Sequence, residues 1–88
     1  MYMRKEMQHF YKKLSIKNQN LTFYFNQLDT HDGMRYCISV VDGQGKTWLF
    51  YMMKKQERWV LTNPINYPDW IVALEQELSN IILQNESL

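Results

Sequence analysis

Cysteine is all but missing from this chain. Cys37 stands alone, so no disulfide can form within the chain and a four-sulfur zinc site is excluded. Histidine is nearly as rare, with His9 and His31 the only two. No apolar run approaches the ~20 residues that a membrane-spanning helix needs. The opening residues, Met1-Tyr-Met-Arg-Lys-Glu6, lack the apolar stretch of a secretory signal. A cytoplasmic protein with no membrane contact is therefore expected. An excess of one charge is lacking too: the net charge is +1, too small to argue for a polyanionic partner by itself.

What the chain does have is rings. Aromatic residues make up 15% of its 88 positions and hydrophobic residues 45%, which excludes a disordered chain. This is the length of one small domain, in which roughly 60–65% of the unfolded chain's surface can be buried. Large rings gain the most burial per ordered residue, and dimerisation is the other common remedy for a thin core. The charge is unevenly spread. Residues 1–60 hold all ten Lys and Arg against five acids, whereas residues 61–88 hold four acids and no base.

The clearest amphipathic stretch lies near the C-terminus. Trp70, Ile71, Leu74, Leu78, Ile81 and Ile82 share one side of a 3.6-residue helix. Pro68 suits its first position, and Asp69, Glu75 and Glu77 favour its N-terminal half. A long helix over about 68–84 is predicted. Between it and the N-terminus the chain alternates, and four strands follow at about 21–28, 34–41, 47–54 and 58–62. Asp32-Gly33 and Asp42-Gly43 mark hairpin loops, and Lys55-Gln-Glu57 a polar turn. At the start, Met3, Met7, Phe10 and Leu14 are spaced by four, three and four, which predicts a shorter helix over about 3–15. The rival reading sets residues 8–16 and 21–28 as a hairpin across Lys17-Asn-Gln-Asn20; Met and Lys favour the helix. The expected fold is α+β, in the order α-ββββ-α: a four-stranded antiparallel meander with the long helix packed on one face.

Alternation sorts the strand residues into two faces. Leu21, Phe23, Phe25, Tyr36, Ile38, Val40, Trp48, Phe50, Met52, Trp59 and Leu61 form an apolar face for the long helix. The other face is mixed. Tyr24, Arg35, Tyr51 and Arg58, supported by Lys54 and Lys55, make a candidate binding face on which rings stack on bases and cations meet phosphates. Leu49, Met53 and Val60, with Val72 and Leu83 on the outward side of the helix, are candidate contacts for a homodimer. Four antiparallel strands followed by one long helix, over residues 21–84, looks like the arrangement of Pur-repeat and Whirly proteins. In element order alone, that resemblance implies dimerisation and binding of single-stranded nucleic acid through the sheet.

Catalytic signals are thin. Cys37 lies mid-strand and His31 in the preceding loop, so no Cys–His nucleophilic pair is evident. Asp29, His31 and Asp32 cluster in that loop, but these are ordinary turn residues. Gly43-Gln-Gly45-Lys46 lacks the length and the following helix of a phosphate loop. Glu75 and Glu77 point to different sides of a helix. The sequence therefore predicts a small non-enzymatic interaction module, without cofactor, metal or small-molecule substrate. Its partner would be a second copy of itself, another protein or, as the alternative, single-stranded DNA or RNA.

Overall fold

Five antiparallel strands, not four, form one sheet that curls into a half-barrel. The computed structural model describes residues 8–31 and 33–87. Strands β1 (His9–Ile16), β2 (Gln19–Thr30), β3 (Gly33–Val41), β4 (Thr47–Lys55) and β5 (Arg58–Leu61) lie in sequence order across the sheet. A 3₁₀ turn, Pro64–Asn66, leads to a short helix α1 (Asp69–Val72) and then to α2 (Glu75–Glu86). The protein is mostly β, and the α-ββββ-α order does not hold.

The predicted N-terminal helix is the main correction. Its residues 9–15 belong instead to strand β1, paired from His9↔Asn26 through Ile16↔Gln19, while Met3 and Met7 fall outside the described residues. Two features defeat helix propensity, which tertiary pairing routinely overrides. Lys17 and Asn18 both adopt left-handed φ, 50° and 66°, the requirement of a two-residue type I′ hairpin turn. Phe10 then stacks on its cross-strand neighbour Phe25 with ring centroids 4.6 Å apart, and Leu14 is buried opposite Leu21. Lys12 hides the alternation. It shares the inner side with Phe10 and Leu14, but beside the sheet edge, where its head stays exposed.

The predicted long helix is divided. Ala73 still bonds back to Asp69, but the Leu74 N–H reaches only to the Ile71 carbonyl, at 3.0 Å. This tighter turn separates α1 from α2 and leaves Ile71, Leu78 and Ile82 all fully buried. Trp70, Leu74, Ile81 and Leu83 pack around them.

The concave inner face carries the core. Phe23, Phe25, Tyr36, Ile38, Phe50 and Met52 are completely shielded from solvent, and Trp59 nearly so. Phe25, Phe10, Tyr36 and Trp59 form a continuous run of ring contacts across this face. Trp48, on the same side, is half-buried. Burying one such side chain stabilises the fold by about 1.5–3 kcal/mol.

Helix α2 also closes one sheet edge. Strand β5 pairs with β4 alone, and unpaired edge N–H groups need another acceptor. Ser79 Oγ accepts the Trp59 N–H at 2.9 Å, and Glu75 Oε2 accepts the Leu61 N–H at 2.8 Å. At the far end of the helix, the Trp59 indole donates to Glu86 at 3.2 Å. Lys54 reaches the same carboxylate at 3.6 Å.

Candidate functional site: the outer face of the sheet

The strand registers place the outward side chains in rows. Tyr11, Tyr24, Ser39 and Leu49 make one row, and His9, Asn26, Cys37 and Tyr51 the next. Leu28, Arg35, Met53 and Val60 follow, then Lys55 beside Arg58. Lys13 lies opposite Thr22 at the other end. No part of α1 or α2 crosses this side, because both helices pack with the inner-face core.

Burial here is unlike that of an ordinary polar surface. Tyr11 is 64% exposed, Tyr24 and Leu49 52%, Val41 51%, and Leu28 and Tyr51 38%. Tyr11 and Tyr24 form a tilted ring pair with centroids 6.1 Å apart. Between the Tyr24 and Tyr51 rings sit the half-buried polar side chains Asn26, Cys37 and Ser39, with Thr22 half-buried on the other side of Tyr24. His9 is oriented by Asn26, with Nδ1 2.8 Å from Oδ1. Tyr51 lies across from Cys37. Its phenol is held above the ordinary range, first by its electrostatic interaction with Cys37, then by desolvation and its hydrogen bond to the same side chain.

Among the described residues the charge on this face has one sign. Lys13, Arg35, Lys55 and Arg58 point outward, and no Asp or Glu does so from any described strand position. Asp29 falls on the inner side of β2, and Glu57 lies in the β4–β5 turn. Arg35 is steadied by Met53, with Nη1 3.7 Å from Sδ.

The predicted binding set is thus mostly brought together. Tyr24, Arg35, Tyr51, Lys55 and Arg58 share the outer face, but Lys54 does not. It sits opposite Trp59 on the inner side, where it pairs with Glu86. Three members were missed: Tyr11, His9 and Lys13, all on β1. Their signal was the alternation of His9, Tyr11, Lys13 and Ser15, obscured by the helical spacing of Phe10 and Leu14.

The predicted dimer contacts divide in the same way. Leu49, Met53 and Val60 lie on the outer face. Val72, 37% exposed, is on α1, and Leu83 packs on the core, so these two do not extend that surface.

Elsewhere the polar groups serve the fold. A cleft between Ile16, Lys17, Gln19 and Asp42–Gln44 lies beside Trp70. Its carboxylate, Asp42, is used by the β3–β4 turn. It accepts the Gln44 and Lys46 amides at 2.9 and 3.0 Å, and the Trp48 indole N–H at 3.0 Å. The indole hydrogen bond first, then the Lys46 amide, hold the Asp42 carboxyl below its ordinary range. Gly45 completes the turn with a φ of 83°, a conformation that glycine adopts without strain. No group of three or more His, Cys, Asp or Glu among the described residues could hold a metal ion; Asp32 lies outside them. No described helix is long and apolar enough to cross a membrane.

No protein-family model, curated protein or solved structure matches this chain. The likeness in element order to Pur-repeat and Whirly proteins does not extend to the architecture, since β1 adds a fifth strand to the meander.

Proposed function

We propose that this protein acts by binding rather than by catalysis, and that the outer face of its sheet receives an anionic partner. One observation carries the reading: four outward cations on β1, β3, β4 and β5 share a face with no acid among its described residues. Such a face concentrates positive potential although the net charge of the whole chain is only +1, because most acids among the described residues lie on the helices and turns, and Asp29 is on the inner side. A cytoplasmic location fits this role, with Cys37 kept as a free thiol.

Retention on a heparin column tests the reading. Arg58→Gln should elute at clearly lower salt than the unaltered protein. Lys54→Gln removes the same formal charge from the inner side and should elute close to the unaltered protein. Equal elution of all three would overturn the proposal.

Self-association through Leu49, Met53 and Val60 is a second reading, favoured by the exposure of Leu49 and Val41. A two-fold pairing of this face would set Lys13, Lys55 and Arg58 against their own copies with no intervening acid among the described residues. Such a dimer should strengthen with salt as the repulsion is screened, whereas anion binding should weaken. Light scattering across a salt series distinguishes the two, and the cation count favours a monomer at low salt.

A further inference from the structure

We infer that the anionic partner is single-stranded nucleic acid, laid across the strands with its bases on Tyr11, Tyr24 and Tyr51. The inference rests on the outer face being the binding surface, and adds the chemistry of the ligand. Cations alone would suit any polyanion. The rings narrow the choice, since three tyrosines stand exposed among those cations and a base presents a flat π-face to each.

Spacing supports the assignment. Tyr24 and Tyr51 lie two strands apart and two residues out of line, which separates their backbones by about 12 Å at ordinary sheet spacings. An unstacked strand can place one base on the Tyr11–Tyr24 pair and a later one on Tyr51. A footprint of about four nucleotides results, at the lower end for sheet-based single-strand binders. Lys13 at one end and Lys55 with Arg58 at the other then lie where the backbone enters and leaves. A duplex offers no free base faces, and its major groove admits a helix or a two-stranded ribbon rather than the face of a five-stranded sheet.

An anionic membrane is the chief rival, and the polar rows count against it. Asn26 and Ser39 lie between the Tyr24 and Tyr51 rings, and Thr22 lies beside Tyr24. Lipid would leave their hydrogen-bonding groups unsatisfied at a cost, whereas sugar, phosphate and base edges can pair with them.

The test uses fluorescence anisotropy at low salt with four probes: a short labelled oligothymidylate, an abasic oligomer of equal charge, a duplex, and vesicles containing anionic lipid. The oligothymidylate should bind roughly tenfold or more tightly than the abasic oligomer, as base stacking requires. Tyr24→Ala with Tyr51→Ala should remove that advantage and leave abasic binding unchanged. Tyr24→Phe with Tyr51→Phe, which keeps the rings, should retain it and so controls for folding. Equal binding of the oligothymidylate and the abasic oligomer would overturn this inference but leave an anion-binding face intact, as would preferential binding to the duplex or the vesicles. Failure of every probe to bind would bring down the underlying proposal as well.

Discussion

Leu49 and Phe50 are neighbours on one strand, yet Leu49 is 52% exposed and Phe50 fully buried. The same contrast runs through the sheet: Tyr24 beside Phe25, Tyr51 beside Met52. Both faces are rich in rings and aliphatic groups, so hydrophobicity alone does not separate them. What separates them is cover. The inner face curls around Ile71, Leu78 and Ile82, and the outer face keeps its rings in water among cations. A buried ring is explained by the core. An exposed ring among cations is not explained by the core.

The largest expected effect breaks the contrast on β4. Phe50→Ala should destabilise the protein by about 3–5 kcal/mol, the range for emptying a core ring site. Leu49→Ala should stay within about 0.5 kcal/mol, as exposed positions do. Urea unfolding of the two variants measures the difference, and equal losses would show that the outer face is covered after all.

Next in size is the seam that keeps the inner face shut. Ser79→Ala leaves the buried Trp59 N–H without its acceptor and should cost about 1–3 kcal/mol, read from the same unfolding curves. A smaller effect of opposite sign is expected at Tyr36. Its hydroxyl is buried without a hydrogen-bond partner among the described residues, and burial followed by the nearby Glu86 charge raises its pKa. Tyr36→Phe should therefore leave stability unchanged or raise it by up to about 1 kcal/mol. A clear loss would reveal a partner for that oxygen.

The smallest effect lies at the rim, where Asp42 holds the β3–β4 turn and Trp48. Its carboxyl has a lowered pKa in the folded protein. The stability it contributes is thus present above the ordinary carboxylate range and is lost as pH falls through the folded value, below about pH 4. Melting temperatures measured down the acid limb should fall less steeply for Asp42→Asn than for the unaltered protein.

Much of the inner face is legible in the sequence, because burial on one side imposes period-two alternation on β2, β3, β4 and β5. The β1 strand is not, for a physical reason. On an edge strand the inner side is only partly covered, so Lys12 can replace an apolar residue there, and Phe10 and Leu14 are left at a spacing that also fits a helix. The deciding signal is the pair Lys17-Asn18, whose left-handed turn depends on the pairing it creates. Lys54 misleads for the opposite reason. Its charge suggests an outward cation, but its register sets it beside Trp59, within reach of Glu86. The candidate site was legible in its tyrosines and arginines and lacked the β1 residues that complete it.

Resonance mapping during titration with a short oligothymidylate distinguishes the two faces of the sheet. Shifts are expected only on the outer face, at Tyr11, Tyr24, Cys37, Leu49, Tyr51 and Arg58. Trp59, Glu75 and Ser79 should stay still. Shifts centred on α2 and the β5 edge, with the outer face unmoved, would contradict that expectation.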